Sequence, residues 1–364
     1  MNKTLFKISK SDTVEQWNIQ VVENKIIVTW GKVDGKQQIK EEVILTGKNI
    51  GKANETTPDQ QALLEAESTY KHKLDKGYAT TISDAQIKSQ EIKPILLEDY
   101  TKRVNKKKII WNDGVLVQPK LDGIRSHVSY ETLKLKTKSR GNKEFPVNPN
   151  LFKQIEDFMK ENNLNLIDGE FYCHGEFLED ISSSVKNPIG NRLEHQIQFH
   201  IFDLPINRKP MEFYNHSNTS TNYPNVKMVK GTIVYSEEEA RKIMDVYLSE
   251  GFEGCILRNK STFMSDYELG GIRTSEIQKW KDFVDAEYEI VDIESDKNNN
   301  AIYVCKTQEN KFFNATPKCT HEKKKEILAN KKSYLNKMLT VRYQDLTPDG
   351  LPRFARGITV RDYE

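Results

Sequence analysis

The stretch Lys120-Leu121-Asp122-Gly123-Ile124-Arg125 decides how this sequence is interpreted, and it comes shortly after the apolar run Val115-Leu116-Val117. An uninterrupted apolar run of this kind predicts a buried strand. The strand would place the amine of Lys120 where a core meets a pocket. A lysine attacks phosphorus only as a neutral amine, so its ordinary pKa of about 10.4 must be lowered by burial or by neighbouring cations. The pattern therefore indicates a lysine nucleophile.

Four further polar signatures follow in the same chain. They are Asp168-Gly169-Glu170, Phe202-Asp203-Leu204, Glu253-Gly254 and Lys279-Trp280-Lys281. Each has an ordinary explanation by itself, since Asp-Gly marks turns and a Lys-Trp-Lys sequence suits an exposed strand. Their order, spacing and strand contexts together favour one shared site. In that site the glutamates would supply the oxygen ligands that Mg²⁺ prefers, and the lysines would hold phosphates.

Taken together, these signatures resemble the covalent nucleotidyltransferase superfamily, and within it the ATP-dependent DNA ligases. The resemblance implies ATP and Mg²⁺ (or Mn²⁺) as cofactors, with Lys120 as the catalytic residue that carries AMP. It implies that Phe202 stacks on adenine. The implied ATP- or AMP-binding residues are Gln118, Arg125, Arg140, Glu170, Phe202, Lys279, Lys281 and Arg361, and the implied metal ligands are Glu170 and Glu253.

The chain is long enough for several domains, and changes in its pattern predict three in an α+β fold: 1–95, 96–284 and 285–364. In the first, two strands should pair around Glu23-Asn24. A helix should start with Thr57 as N-cap and Pro58 as its first residue, with an apolar face of Leu63, Ala66, Tyr70 and Leu74. Trp30-Gly31-Lys32 resembles the WGR domain, which implies a DNA-binding accessory module. Lysine in place of arginine keeps the charge but loses bidentate phosphate recognition.

The second segment, 96–284, should be the nucleotidyltransferase (adenylation) domain. It contains a helical stripe of Leu151, Ile155, Phe158 and Met159. Another helix should begin at Ser236, with Glu239 completing a capping box, and should bury Ala240, Ile243, Tyr247 and Leu248. That helix would deliver the chain to Glu253.

The third segment, 285–364, contains short strands separated by turns, which predict a small OB-fold β-barrel. Barrels of this type are common platforms for nucleic acids. The ending from Pro352 to Asp362 resembles the C-terminal signature of the ligases, and this resemblance places Arg361 near the pyrophosphate end of ATP.

Composition adds weaker constraints. The net charge is only +2 over 364 residues, so the charge of the whole chain does not indicate a nucleic-acid partner. A local basic cluster does suggest DNA-backbone contact. It consists of Lys102, Arg103, Lys106, Lys107 and Lys108. The four cysteines are scattered, which argues against a zinc site. Without a signal segment or a long apolar run, we expect a cytoplasmic protein with no membrane association.

These observations predict an enzyme that seals nicked double-stranded DNA as a monomer, in replication, repair or recombination. An RNA ligase and a capping guanylyltransferase use the same lysine chemistry and stay open as alternatives. A non-catalytic DNA-end-binding protein with an inactive core is a third alternative, although every catalytic position is intact. NAD-dependent ligases usually carry a nicotinamide module and zinc cysteines, neither of which is evident here.

Overall fold

The structure is a computed structural model. It describes residues 1–9, 11–89, 94–131, 134–141, 143–204, 215, 221–260 and 273–361.

The N-terminal part is a four-stranded antiparallel sheet in the order β1-β2-β3-β4, with two helices beside it. Its elements are β1 (Asn2–Ile8), β2 (Val14–Val22), β3 (Lys25–Lys32), β4 (Gln38–Val43), α1 (Pro58–Asp75) and α2 (Ile82–Ser89). The central hairpin pairs Trp17 with Trp30, so the predicted pairing around Glu23-Asn24 is confirmed. The ring of Trp17 is buried in the core of this part.

Helix α1 begins as the sequence predicts. The Thr57 hydroxyl accepts a hydrogen bond from the backbone of Gln60, whose side-chain oxygen accepts one from the Thr57 backbone. The predicted apolar face is wrong at Leu63, which is 40% exposed, whereas Ala62 is fully buried. The helix buries small residues against the sheet, because alanine allows a close approach that a leucine stripe does not.

The middle part contains two five-stranded sheets, in the orders β11-β10-β9-β7-β8 and β12-β6-β13-β14-β5. Their strands are β5 (Leu96–Asp99), β6 (Val115–Pro119), β7 (Ile124–Glu131), β8 (Lys134–Ser139), β9 (Leu166–Tyr172), β10 (Gln198–Asp203), β11 (Val226–Met228), β12 (Thr232–Val234), β13 (Cys255–Asn259) and β14 (Arg273–Trp280). The helices are α3 (Arg103–Lys106), α4 (Pro149–Glu161), α5 (Leu178–Lys186) and α6 (Glu237–Ser249).

Both predicted helices of this part exist. Helix α4 buries the predicted stripe of Leu151, Ile155, Phe158 and Met159 against the first sheet. Helix α6 has Ser236 as its N-cap, but the Glu239 carboxylate accepts from the backbone N–H of Tyr235 rather than that of Ser236. Met244, which the sequence analysis missed, is fully buried beside Ala240.

The last five strands form a closed barrel in the order β15-β16-β17-β19-β18. They are β15 (Val284–Ser295), β16 (Ala301–Lys306), β17 (Phe312–Pro317), β18 (Met338–Tyr343) and β19 (Arg356–Arg361), with the lysine-rich helix α7 (His321–Ala329) inserted before β18. In the described part of the chain, no helix has the length and apolar character needed to cross a membrane.

Candidate active site

Lys120 lies at the end of the buried strand β6, next to the segment that leads into β13. Its backbone N–H donates to the Gly254 carbonyl at 2.9 Å, and its own carbonyl accepts from the Glu253 N–H at 3.1 Å. Gly254 has a φ of +144°, and a Cβ there would lie 2.3 Å from the carbonyl oxygen of Trp280. Glycine is therefore required at position 254, where the segments that carry Lys120 and Glu253 meet the end of β14.

The carboxylate of Glu253 is a shared acceptor. Lys120 Nζ donates to one of its oxygens and Lys281 Nζ donates to the other. Gln344 Nε2 also donates to Glu253 at 2.7 Å, while its own amide oxygen accepts from Lys281 at 2.8 Å. The Glu253 side chain is only 5% exposed. The predicted nucleophile, one of the predicted cations and one predicted carboxylate thus form a single network with little exposure to solvent.

Burial makes the lysines of this network more easily deprotonated. Removal from water lowers the pKa of Lys120, against the opposing effect of Glu170 and Asp122. Burial, followed by the charge of Lys120, lowers the pKa of Lys281 to about 7. The same two causes lower the pKa of Lys279. A neutral amine near neutral pH is the form that attacks phosphorus, as predicted for Lys120.

Glu170 lies on β9, close enough to Lys120 for its charge to oppose the lowering of that lysine's pKa. Its carboxylate accepts from the backbone N–H of Gly123 at 3.0 Å, and burial raises its pKa. A Cβ at Gly123 would lie 2.3 Å from the carbonyl oxygen of Phe171, so glycine lets the lysine segment pack directly on β9.

Arg125 lies opposite Glu170 on the neighbouring strand β7, but it is paired elsewhere. Its guanidinium holds both oxygens of Asp168, at 2.6 and 3.2 Å, and donates to the Ile95 carbonyl at 2.7 Å. The guanidinium also lies 5.2 Å from the ring centroid of Phe202. The Arg125 guanidinium therefore packs against the Phe202 ring. Its predicted contact with sugar or phosphate stays a prediction.

The other predicted nucleotide-binding residues lie at different depths. Gln118 is buried on β6 and donates to the Val229 carbonyl at 3.1 Å. Arg140 is exposed in the turn after β8, close enough to Lys279 for its charge to lower the pKa of that lysine. Arg361 is on the barrel, where it contacts Thr340 at 2.9 Å and Glu287 at 3.2 Å. Asp362, which follows it, lies outside the described residues.

The sequence analysis missed the barrel residues that reach the site. Arg353, which is 7% exposed, donates to the Asp122 carboxylate at 2.8 Å, and Gln344 joins the Glu253 network. Both belong to the segment between β18 and β19. The ligase-like ending from Pro352 to Asp362 contains Arg353 but does not indicate its contact, and no local pattern marks Gln344, because both partners lie far away in the chain.

The predicted basic cluster is only partly available for DNA. Lys106 forms an ion pair with Glu237 at 2.7 Å and lies 4.9 Å from the Tyr100 ring centroid. Lys102 is 3.8 Å from Glu98. Arg103, Lys107 and Lys108 have side chains that are not buried, although the Lys108 carbonyl accepts from Asn259 at 2.8 Å. DNA contact through this cluster stays a prediction.

The carboxylates of Glu170 and Glu253 are the predicted ligands of the metal. Within the described ranges, no three His, Cys, Asp or Glu side chains converge on one ion position. Glu170 and Glu253 still fit Mg²⁺ in their donor chemistry, because this ion is commonly held by one or two carboxylates with water and substrate phosphates completing the shell. The assignment of these two ligands stays a prediction.

The Arg353–Asp122 contact leads to a test of the barrel's role. We expect Arg353→Ala to slow single-turnover nick joining about 10- to 100-fold, because a buried charge-assisted hydrogen bond contributes about 1.5–3 kcal/mol. The measurement is the joining rate at saturating enzyme. Arg356→Ala, an exposed arginine on β19, is the matched control. An equal decrease in both variants would show that general charge, not this contact, matters.

Residues 95–281, just over half of the chain, match the model of the ATP dependent DNA ligase domain. Residues 298–361 match the DNA ligase OB-like domain. A DNA ligase of African swine fever virus (isolate Tick/South Africa/Pretoriuskop Pr4) is 27% identical over 344 residues, covering 88% of this chain and 79% of the viral protein. The DNA ligase of the Pig/Kenya isolate is also 27% identical, with the same coverage.

A solved structure has a similar fold. A Lig E DNA ligase, described as binding DNA with a minimal scaffold, superposes with a TM-score of 0.58 at 21% identity. The superposition covers 74% of this chain and 99% of that protein. The similarity concerns the fold.

Proposed function

Since this chain belongs to the family of ATP-dependent DNA ligases, we propose that it seals nicks in duplex DNA through an AMP carried on Lys120. One observation carries the assignment of the lysine. Its amine is buried at the end of β6, and it shares the Glu253 carboxylate with Lys281. Burial lowers the pKa of Lys120, and the Glu253 carboxylate places a base beside its proton.

The first step joins the lysine to the nucleotide. The Lys120 amine attacks the α-phosphorus of ATP, an N–P bond forms, and the bond to pyrophosphate breaks. Glu253 is the nearest acceptor for the proton that the amine must lose. Lys279 and Lys281 bind the phosphate oxygens, and Phe202 stacks on adenine. Glu170 and Glu253 would hold Mg²⁺, which would supply positive charge to neutralise the phosphates.

The next two steps use this AMP to activate the nick. The 5′-phosphate oxygen attacks the phosphorus of lysyl-AMP, and Lys120 leaves as an amine. The 3′-hydroxyl then attacks the activated 5′-phosphate, and AMP leaves with the bonding electrons. All side chains named for these steps come from one chain, which supports action as a monomer. Replication, repair and recombination are the pathways in which such nicks arise.

The nucleotide specificity gives a direct test. The protein is incubated separately with α-labelled ATP, α-labelled GTP and adenylate-labelled NAD, and the covalent label is mapped by mass spectrometry. We expect ATP alone to label the protein, on Lys120. Labelling by GTP would indicate a capping enzyme, and labelling of another lysine would overturn the site assignment.

We also propose that 1–95 forms a WGR-like accessory module that holds DNA, that 96–284 is the adenylation domain and that 285–364 is the OB-fold domain. The four-stranded sheet packed by α1 supports the first of these. A truncation should keep Ile95, because this residue packs with Leu166 and Ile277 and its carbonyl accepts from Arg125.

Deletion of residues 1–89 tests the accessory module. We expect adenylation of Lys120 to be nearly unchanged, since the proposed ATP contacts lie beyond residue 117. Nick affinity should fall, and the slope of log affinity against log salt should become less steep by about 0.9 for each phosphate that the module neutralises in the full chain. Affinity and slope equal to those of the full chain would assign the module another role.

A further inference from the structure

Strand β1, the end of helix α1 and helix α2 place four lysines near one tyrosine. We propose that this group, the Tyr78 patch (Lys7, Lys73, Lys76 and Lys88 around Tyr78), binds the phosphate backbone of the duplex that flanks the nick. The proposal rests on the DNA-joining function above and adds the surface through which the N-terminal module acts.

The lysines of the Tyr78 patch are held in place by aromatic rings and backbone. Lys73 Nζ lies 4.8 Å from the ring centroid of Tyr78 and 5.2 Å from that of Trp17. Lys7 Nζ lies 5.3 Å from the Tyr78 ring centroid. Lys88 Nζ donates to the Tyr78 carbonyl at 2.9 Å. Cation–π contacts order an ammonium group without cancelling its charge, so the patch is prepared to meet an anion.

Positive charge predominates in the patch. Burial lowers the pKa of Lys73, and the charges of Lys76 and Lys7 lower it further, while the charge of Glu15, which lies opposite Lys7 on β2, raises it. Like charges held together are unfavourable unless an anion joins them, and a row of phosphates supplies such an anion. The patch therefore matches a polyanion better than a single carboxylate.

The position of the patch connects it to the candidate active site. Lys143 Nζ forms an ion pair with Asp75 at 2.6 Å, which joins the end of α1 to the turn after β8. The carbonyl of Lys143 accepts from the Ser139 N–H at 2.8 Å, and Arg140 lies within this turn. Arg140 in turn is close enough to lower the pKa of Lys279. The turn that carries Arg140 therefore links a proposed phosphate-binding lysine of the site to the end of α1, where Lys73 lies.

The test compares nick binding by the full-length triple variant K7Q/K73Q/K76Q with that of the unaltered protein, over a range of salt concentrations. If these lysines neutralise three phosphates, the salt slope should be smaller by about 2.7 in the variant. We expect its affinity near physiological salt to be at least tenfold weaker. Trimming the two duplex arms in turn should remove this difference for one arm only, because a single patch contacts one flank of the nick.

Two further variants separate charge from structure. K36Q/K40Q/K52Q removes three lysines with exposed side chains elsewhere in the same module, and we expect it to bind like the unaltered protein. K7R/K73R/K76R keeps the charge and should retain the affinity. Adenylation and low-salt sealing should persist in every variant, and their absence would count against the proposed function instead. If K7Q/K73Q/K76Q and K36Q/K40Q/K52Q bind with equal affinity and equal salt slope, the proposal that the Tyr78 patch binds DNA phosphates is wrong.

Discussion

In a Lys120→Ala variant, the rate of nick sealing from ATP should fall by a factor of more than about 10³. This is the scale expected when a covalent nucleophile is removed. The adjacent Glu253 has no amine, and Lys281 is proposed to bind phosphate oxygens and not to attack phosphorus. Label transfer from ATP should disappear entirely. A nick that already carries 5′-AMP should still be sealed in part, because the last step uses the 3′-hydroxyl as its nucleophile.

Two controls make this result specific. Lys120→Arg keeps a positive charge but should be equally inactive, because a guanidinium cannot be deprotonated in a protein. Lys134→Ala, an exposed lysine on β8, should behave like the unaltered protein. Normal sealing from ATP by Lys120→Ala would exclude this residue as the AMP carrier.

The second large effect is expected for Glu253→Ala. Its carboxylate accepts from Lys120, Lys281 and Gln344, so its removal leaves three donors without their shared acceptor in a buried site. We expect adenylation to fall on the order of 10²-fold, the scale for losing one preorganised electrostatic group. The measurement is the rate of label transfer from ATP, beside a thermal melt.

Glu250→Ala is the matched control for this change, since Glu250 is an exposed carboxylate three residues away. We expect it to leave label transfer unchanged. Glu253→Gln tests whether charge or volume matters, because it keeps the size and loses the charge. A strongly reduced melting temperature with normal adenylation would assign Glu253 a structural role.

Local features of the fold could be predicted from the sequence because they depend on near neighbours. The N-cap at Thr57 and the stripe from Leu151 to Met159 are examples, since a helix needs a capping hydroxyl and buries residues three or four apart. Leu63, which was predicted on the apolar face of its helix but is exposed, shows what local patterns cannot predict. Which of two adjacent apolar residues is buried depends on how closely the sheet approaches, and that distance is not encoded locally.

Some residues of the site could likewise be predicted from the sequence, whereas others could not. Lys120, Glu253 and Lys281 could be proposed together because each ends or begins a recognisable strand. The pairing of Arg125 with Asp168 was missed because strand register, not residue type, brings them together. The contacts of the two barrel residues could not be predicted, because each partner is distant in sequence. Gln344 is 91 residues from Glu253, and Arg353 is 231 residues from Asp122.

The shared carboxylate of Glu253 also makes the site observable by spectroscopy. Its three donors come from the lysine segment, the end of β14 and the barrel. Attachment of AMP to Lys120 alters the first donor, and movement of the barrel removes the third. A single ¹³C label on this carboxyl carbon therefore has a separate chemical environment for each combination. One resonance can follow both the chemistry and the domain arrangement.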